Sequence, residues 1–369
     1  MTGLYVHVPF CVRKCAYCDF YSVSGQAGLI ESYIDAVLAE SKEYGSMSFG
    51  TLFLGGGTPS ILGADNLTRL VDGLSSAFDL SRLEEATIEA NPESATKETL
   101  EAALESGFNR ISIGVQSLCD GELKAVGRIH TAGQAVAAIG LAKKAGFRNI
   151  SADLIVGLPG QTWDSLQDSI EKLAAMGISH LSLYCLSLEH GTPLAQNPPG
   201  NLPSDDVQAD LFEQARAYLN DKGFVHYEIS NFAVSGRECL HNLNYWRGGE
   251  YLGLGPSAAS HLGGKRFKNR ADLKAYLENP AGVVEEVEEL GPEEKAAEEA
   301  MLRLRLLEEG LDVVEDFTRR HGQKNVRRLL ARLDMLSREG SLLFDGSKYR
   351  LEPSLVLTSN SILARVLQG

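Results

Sequence analysis

Residues 4–18 read Leu4-Tyr-Val-His-Val-Pro-Phe-Cys11-Val-Arg-Lys-Cys15-Ala-Tyr-Cys18, and this stretch decides the expected fold. A short apolar strand is followed at once by three cysteines with the spacing C-x₃-C-x₂-C. Three thiolates on one loop can ligate three irons of a four-iron cluster, which leaves the fourth iron open for another ligand. The spacing therefore favours an iron–sulfur cluster, while zinc with His7 or a distant residue as the fourth ligand stays an alternative.

From residue 1 to about 235, β-rich runs alternate with segments of helical spacing. The interval from strand to strand is roughly 25–40 residues, the length of a βαβ unit. Six such units predict an α/β fold with a parallel sheet, open or curled toward a (βα) barrel, with function at the C-terminal strand ends. The predicted strands are Leu4–Val8, Thr51–Leu54, Ala86–Glu89, Ile111–Val115, Ile150–Ile155 and Leu181–Cys185.

The composition shifts near Asn279-Pro280, and helical patterns dominate beyond it. Two short strands around Asp345-Gly346 and a last helix predict a small helical domain with a β-hairpin wing. A basic stretch around Arg319 and Arg320 is mixed with acidic residues, which indicates a solvated helix face. We predict a barrel over residues 1–235, a connecting segment over 236–280 and a mainly helical, winged-helix-like domain over 281–369.

Composition excludes several classes of protein. The 369 residues are 44% hydrophobic and carry 35 Lys and Arg against 49 Asp and Glu, a net charge of −14. Such values are globular, and so acidic a chain is unsuited to holding duplex nucleic acid through phosphate contacts. The chain has no run of 18 apolar residues and no signal-peptide pattern. We therefore expect a cytoplasmic protein with at most peripheral membrane contact.

The second chemical motif is Leu52-Phe-Leu-Gly55-Gly-Gly-Thr58-Pro59-Ser60, in which a strand runs into three glycines. Glycines at a strand end let the backbone approach a small polar ligand without interference from a Cβ atom. A plain turn between strand and helix explains the glycines equally well when they are taken alone.

Single polar residues follow or interrupt the other predicted strands. They are Glu89, Gln116 and Asp153, and Arg128 is suited to holding a carboxylate through two parallel hydrogen bonds. Each residue alone reads as an ordinary turn or ion-pair residue. If successive strand ends point into one barrel mouth, however, their convergence favours ligand binding.

The segment His241-Asn-Leu-Asn-Tyr-Trp246 combines a histidine with two aromatic residues. Such a histidine can ligate haem iron while an aromatic ring packs on the macrocycle. The alternative is a structural histidine that donates to a backbone carbonyl. Cys119, Cys185 and Cys239 read as small buried hydrophobic residues.

Together these motifs resemble the radical S-adenosylmethionine (SAM) superfamily. More narrowly, the chain resembles the haem-chaperone family related to the oxygen-independent coproporphyrinogen III oxidases. The resemblance implies a partial (βα)6 barrel like that of TIM-barrel proteins, followed by a C-terminal helical domain. The residues that carry the narrower resemblance are Tyr5-Val-His-Val-Pro-Phe-Cys11, Gly114-Val-Gln-Ser117, Gly127-Arg-Ile-His130, Asp153 with Gly157-Leu-Pro-Gly160, and His241-Asn-Leu-Asn-Tyr-Trp246.

The resemblance also implies a role for each site residue. Three cysteines would ligate a [4Fe–4S] cluster whose fourth iron binds SAM, and reduction by the cluster would cleave SAM where that chemistry operates. The resemblance gives the cluster ligands as Cys11, Cys15 and Cys18. It implies that Gly56, Gly57 and Thr58 lie at the amino group of SAM with Glu89 nearby, and that Arg128 lies at the carboxylate of SAM. It further implies that Gln116 and Asp153 reach the ribose and that Tyr5 and Tyr17 lie against the cluster and cofactor.

Two departures separate the chain from the oxidases. The oxidases carry a further cysteine two residues after the third, where this chain has Phe20, and they have a long segment ahead of the first strand, where only four residues precede Tyr5. Both departures favour a chaperone with haem as cargo, and no residue is assigned as catalytic.

These observations support three hypotheses about function, of which the haem chaperone is favoured. The first is a chaperone that transfers haem to an apo-haemoprotein, with His241 as a candidate haem ligand. Its expected partners are the recipient apo-haemoprotein and an electron donor protein, and a homodimer is one expected arrangement. The alternatives are a radical SAM oxidoreductase acting on a porphyrinogen and a zinc-stabilised scaffold without catalysis.

Overall fold

A computed structural model describes residues 1–368, without the side chain of Glu315. Strands and helices alternate through its first part, as the apolar periodicity predicts. In chain order these elements are β1 (Thr2–Val8), β2 (Phe10–Cys11), β3 (Val23–Ser24), α1 (Ile30–Ser41), β4 (Thr51–Gly56), α2 (Gly63–Ala77), β5 (Glu85–Ala90), α3 (Lys97–Glu105), β6 (Arg110–Gln116), α4 (Asp120–Ala125), α5 (Ala132–Ala145), β7 (Asn149–Val156), α6 (Trp163–Ala175), β8 (His180–Cys185), α7 (Pro193–Gln196) and α8 (Asp205–Asp221).

The second part of the chain begins with short strands and ends in helices. Its elements are β9 (Val225–Glu228), β10 (Asn231–Ala233), α9 (Leu240–Trp246), β11 (Glu250–Leu254), β12 (Ala259–Leu262), β13 (Lys265–Asn269), α10 (Leu273–Glu278), β14 (Val284–Glu289), α11 (Pro292–Arg303), β15 (Leu311–Asp312), α12 (Thr318–His321), α13 (Gln323–Arg338), β16 (Leu342–Phe344), β17 (Lys348–Leu351) and α14 (Ser359–Leu367).

The predicted parallel sheet is present. Strands β1, β4, β5, β6, β7 and β8 lie side by side in sequence order and pair in parallel. Their inward and outward side chains are both buried, as expected when helices cover one face of a sheet and a packed interior fills the other. This arrangement confirms the α/β fold class and brings the C-terminal ends of all six strands to one edge.

The sheet continues beyond the six predicted strands. In the described residues it contains twelve strands, in the order β14-β13-β12-β11-β1-β4-β5-β6-β7-β8-β10-β9. Strand β11 pairs in parallel with β1, and β12, β13 and β14 follow as antiparallel neighbours. The sequence does not predict these added strands, because they are short, and β13 and β14 are also rich in charge.

The domain limits predicted from the sequence, after residues 235 and 280, stay predictions. The predicted connecting segment 236–280 contains α9 and three strands of the main sheet, and β14 lies just beyond the end of this segment while pairing with β13. The covering helices begin where the sequence supplies caps, such as the reciprocal pair between Thr131 and Gln134 at α5.

The C-terminal part is mainly helical, as predicted, and carries a small sheet in the order β15-β17-β16. Helix α13 turns Val326, Leu329, Leu333 and Leu336 inward. In the basic stretch, Arg320 forms ion pairs with Glu299 and Asp316. Among the described residues, no helix has the length and apolar character needed to cross a bilayer.

Candidate functional site

The barrel mouth is a cavity of about 350 Å³ at the C-terminal ends of β4–β8, bordered by the cysteine loop. That volume lies in the range of about 300–1,000 Å³ typical of small-molecule sites. The structure brings eleven of the predicted site residues to its walls: Cys11, Cys15, Cys18, Tyr17, Gly56, Gly57, Thr58, Glu89, Gln116, Arg128 and Asp153.

The cysteine loop is anchored by backbone hydrogen bonds on both sides. The amide of Ala16 donates to the carbonyl of Val126 at 3.2 Å, and the amide of Leu194 donates to the carbonyl of Ala16 at 2.9 Å. Cys11, Cys15 and Cys18 are free thiols that are partly exposed to the mouth. The loop therefore holds three potential thiolates at one rim of the cavity.

The glycine turn at the end of β4 has no room for side chains. A Cβ atom on Gly57 would lie 2.6 Å from the carbonyl oxygen of Phe10, and Gly56 has a φ of +105°. The Gly57 amide donates to the carbonyl of Val8 at 2.8 Å, which ties the turn to the end of β1 just before the cysteine loop. The glycines therefore serve a close backbone approach that a larger residue would block.

Arg128 is the best-connected cation of the mouth. Its Nη2 donates to Asn91 Oδ1 at 2.7 Å and to the carbonyl of Gly114 at 2.8 Å, and its Nη1 donates to Cys15 Sγ at 3.4 Å. Its buried Nε has no hydrogen-bond partner within residues 1–368 as described. A guanidinium that is fixed in place and retains a free donor fits an incoming carboxylate.

Thr58 links the glycine turn to the same network. Its hydroxyl donates to Cys11 Sγ at 3.5 Å and accepts from Asn91 Nδ2 at 2.8 Å. Asn91 thus connects Thr58 with Arg128. Sequence reasoning missed Asn91, although its position two residues after Glu89, at the end of β5, is the same strand-end signal.

Two carboxyl groups lie deeper in the mouth. Glu89 accepts from the amide of Gly56 at 3.2 Å, and burial together with the charge of Asp153 raises the pKa of Glu89 to about 7. Asp153 accepts from Ser182 Oγ at 2.8 Å and from Ser112 Oγ at 3.0 Å. Burial also raises the pKa of Asp153 above its usual range. These carboxyls can accept hydrogen bonds from amino and hydroxyl groups of a ligand.

Gln116 reaches the mouth through a backbone irregularity. Its φ is +64°, and the register of β6 against β7 shifts between Gly114 and Gln116. A non-glycine residue with this φ is strained, and such strain is concentrated at ligand sites. The bulge turns the end of β6 out of the regular ladder toward the cavity.

Tyr5 is the one cofactor candidate that does not line the mouth, although burial and the nearby charge of Glu89 raise its pKa, and its place against the cofactor stays a prediction. It lines a second cavity of about 430 Å³, which we call the aromatic cavity, and its hydroxyl bonds to His7 Nδ1 at 3.0 Å. The reason is the pleat of β1, which carries Tyr5 and His7 to the same side. The aromatic cavity lies among the cysteine loop, α9 and β11–β13, and Phe20 borders both cavities.

Comparison with known proteins gives a consistent picture. The Radical SAM superfamily matches residues 5–173. The protein named heme chaperone HemW of Lactococcus lactis is 40% identical over 74% of this chain and 73% of its own length. The heme chaperone HemW of Mycobacterium tuberculosis is 38% identical over 82% of this chain and 81% of its own.

This chain belongs to the HemW family. The family lies within the radical SAM superfamily, which implies a [4Fe–4S] cluster and SAM. A solved structure of coproporphyrinogen III oxidase, HemN, from Escherichia coli matches the fold with a TM-score of 0.87. It covers 99% of this chain and 89% of that one, at 22% identity, so the likeness concerns the fold.

The residues of the mouth fit the two groups that membership of the HemW family implies. The three thiols supply sulfur ligands from one loop, the usual ligand type for iron–sulfur clusters. The unpartnered Nε of Arg128 and the carboxyl of Glu89 supply a donor and an acceptor for an amino acid head group.

His241, the first residue of the HemW-like His-Asn-x-x-Tyr-Trp motif, lies in the interior. Its Nδ1 bonds to Thr51 Oγ1 at 2.8 Å and its Nε2 to Tyr245 Oη at 2.8 Å, and its ring stacks on Phe53. Burial lowers the pKa of His241 to about 3, so the ring is neutral. Haem ligation by His241 stays a prediction that requires one of these hydrogen bonds to break.

The motif is held in place from the barrel floor. Glu85, at the start of β5, accepts from the amides of Leu240 and His241 at 3.0 and 3.1 Å, at the first turn of α9. This contact fixes α9 so that Tyr245 and Trp246 face the aromatic cavity while His241 faces inward.

Proposed function

We propose that this chain is a haem chaperone that binds haem and hands it to an apo-haemoprotein, and that it carries a [4Fe–4S] cluster and SAM in the barrel mouth. The observation that carries the proposal is membership of the HemW family, whose named members are haem chaperones. A bound cluster supplies one-electron chemistry to SAM.

We propose the following roles in the mouth. Cys11, Cys15 and Cys18 ligate the cluster, and Tyr17 packs beside it. The fixed guanidinium of Arg128 supports its role at the SAM carboxylate, since two of its donors are already held by Asn91 and Gly114. The accepting carboxyl of Glu89 supports a place at the amino group, together with Gly56, Gly57 and Thr58.

Gln116 and Asp153 are proposed for the ribose of SAM. Asp153 is held by two serine hydroxyls, so its carboxyl is oriented before a ligand arrives. Such pre-orientation lowers the entropy lost on binding. The further partners that we propose are an electron donor protein and a haem-accepting protein, with a homodimer as one arrangement of the chaperone.

Haem transfer is the experiment that tests the proposal. The reconstituted full-length protein is loaded with one equivalent of haem and mixed with an apo-haemoprotein whose activity returns when haem binds. Haem-loaded serum albumin serves as the matched donor without chaperone function. Direct transfer predicts a rate that rises with acceptor concentration, whereas passive release gives a rate fixed by haem dissociation.

Product analysis in the same samples decides between the chaperone and the oxidoreductase. When the protein is incubated with SAM, a reductant and coproporphyrinogen, the chaperone hypothesis predicts that no decarboxylated porphyrinogen forms. Decarboxylated product, or a transfer rate that does not depend on the acceptor, contradicts the proposed function.

A further inference from the structure

The histidines of the chain differ in how many ring nitrogens the protein already uses. His7, His180 and His241 each engage both nitrogens in hydrogen bonds. His261, like His321, uses only one: its Nδ1 bonds to the carbonyl of Gly249 at 3.3 Å, and its Nε2 has no partner among the described residues. Of these two, His261 is the one that lines the aromatic cavity. A carbonyl only accepts, so Nδ1 is the nitrogen that donates, and Nε2 is the nitrogen that can offer a lone pair in the neutral tautomer.

This arrangement is the one that histidine ligands of metals use. A ligating histidine commonly donates its second ring N–H to a carbonyl or carboxylate, which fixes the tautomer and the ring orientation. His261 is partly exposed and lines the aromatic cavity. It therefore combines a free lone pair with access to a volume of about 430 Å³.

Strand pairing explains why His261 lies there. Tyr251 on β11 pairs with His261 on β12, which pairs with Arg266 on β13. Ala259 pairs with Lys268 one step along the same face. Because alternate residues of a strand share a face, these five side chains form one surface with the histidine in its middle.

Aromatic side chains from outside this surface complete the walls. Tyr245 and Trp246 come from α9, and the ring of Tyr245 lies 4.4 Å from that of Tyr251. Phe20 closes the side toward the barrel mouth and is 64% exposed. An exposed phenylalanine beside three further aromatic rings offers apolar faces to a flat ligand.

Positive charge lies on the β13 side of the same cavity. Arg266 is paired with Glu298 of α11, whereas Lys268 is exposed and forms no ion pair with the described residues. The cavity thus offers one imidazole with an unpartnered Nε2, several aromatic faces and an ammonium group without an ion pair among the described residues. This combination matches a planar macrocycle that carries iron at its centre and carboxylates at its edge.

We propose that the aromatic cavity is the haem site of this chain, with His261 Nε2 as the iron ligand, Tyr245 and Trp246 against the macrocycle, and Lys268 at a propionate. The inference rests on the proposed function and names the site of its cargo. Ligation forms one Fe–N bond from the lone pair of a neutral imidazole, and no proton or electron is transferred.

The site would hold its cargo beside the barrel mouth without sharing ligands with it. Phe20 borders both cavities, while the three cysteines line the mouth and His261 lines the aromatic cavity. Haem binding should therefore survive loss of the cluster. A partly open cavity with one protein ligand also suits a cargo that has to leave again.

Titration of ferric haem into the full-length protein, followed by absorbance, tests the site. We expect one equivalent bound with a histidine-ligated spectrum. His261→Ala should weaken binding at least tenfold and alter the spectrum, and added imidazole should restore the spectrum because it refills the vacated space. His190→Ala removes an exposed loop histidine and should bind as the wild type does.

Two further variants separate ligation from folding. Ala259→Trp fills the face beside His261 without touching the ligand, and it should block haem while the cluster assembles normally. Lys268→Met should weaken haem binding several-fold with an unchanged spectrum. Iron-free protoporphyrin should lose its dependence on His261 and keep that on Lys268.

The outcomes distinguish this inference from the proposed function. If wild-type protein binds one haem but His261→Ala and Ala259→Trp bind it equally well, the site lies elsewhere and the inference is wrong, while the chaperone function stands. If only His241→Ala loses the spectrum, the ligand is His241. If the wild-type protein binds no haem, the proposed function fails as well.

Discussion

The barrel mouth and the aromatic cavity are neighbours built on opposite principles. In the mouth, most polar groups come from the ends of parallel strands, and several are already held by the protein, as Arg128 in the segment after α4 is by Asn91 and Gly114. In the aromatic cavity, the groups come from one face of antiparallel strands, and neither His261 Nε2 nor the ammonium group of Lys268 has a hydrogen-bond or ion-pair partner among the described residues.

The difference teaches what each site is suited to hold. Groups that are fixed before binding lose little entropy when a ligand arrives, which favours tight retention of a resident cofactor. A site that offers one free ligand atom and is open on one side binds its ligand with lower affinity. It therefore suits cargo that is taken up and released.

Replacement of the cluster cysteines gives the largest expected effect and tests whether the two sites are independent. Cys11→Ser, Cys15→Ser and Cys18→Ser combined should remove all of the roughly four cluster irons, since a serine hydroxyl binds iron far more weakly than the thiolates that hold such clusters. Haem affinity should change less than twofold. Iron and sulfide analysis with a haem titration measures both, and Cys119→Ser is the matched control.

A concurrent loss of haem binding in the triple variant, at normal folding, would mean that the two sites are one. If that variant retains its iron, the cluster is ligated by residues other than these three cysteines.

Arg128→Lys tests the fixed character of the mouth. Lysine keeps the charge but cannot hold Asn91, Gly114 and a carboxylate at once, because it lacks the planar fork. We expect SAM affinity to fall by about 10- to 100-fold, the loss of one or two charged hydrogen bonds. Equilibrium binding of SAM to the reconstituted protein measures this, and Arg148→Lys, at an exposed arginine, should leave it unchanged.

Glu40 connects the strands of the aromatic cavity to the barrel. On α1, it accepts from Tyr276 Oη at 2.5 Å, Asn269 Nδ2 at 2.6 Å and the amide of Gly255 at 2.9 Å. Burial raises its pKa from 4.5 to about 7. Its contribution to stability is therefore fully present below about pH 4.5 and is lost as the pH rises through about 7.

We expect this group to lower the free energy of unfolding by up to about 3 kcal/mol between those pH values. Glu40→Gln should flatten that part of the pH profile in denaturant unfolding, while Glu43→Gln, at an exposed neighbour, should not. An unchanged slope in Glu40→Gln would assign the dependence to other buried carboxyls, such as Glu89 and Glu228.

Gln116→Gly gives the smallest expected effect and separates stability from binding. Glycine relieves the strained φ of +64°, so the free energy of unfolding should rise by about 1 kcal/mol. SAM affinity should fall, since the amide of Gln116 is lost. Gln116→Asn, which tolerates this φ, serves as the control. A variant that binds SAM as well as the wild type would remove Gln116 from the site.

The sequence predicts the mouth better than the aromatic cavity, for a physical reason. Polar residues such as Glu89 and Asp153 stand at the ends of apolar runs, and parallel strands necessarily bring those ends together. Even there the pleat of β1 escapes prediction, and it carries Tyr5 to the other cavity.

The aromatic cavity depends on pairings between short, charged strands. The run Lys265–Asn269 has no apolar periodicity, so nothing local indicates that it is β13 or that Arg266 lies opposite His261. The burial of His241 likewise depends on Thr51, which is 190 residues away in sequence. Contacts over such separations leave no pattern in a single sequence.

The stoichiometry of haem bound to the reconstituted full-length protein tests the central claim most directly. Absorbance titration with iron analysis should give one haem per chain in addition to about four cluster irons. No saturable haem binding by a folded, cluster-containing sample would contradict the claim that this chain carries haem.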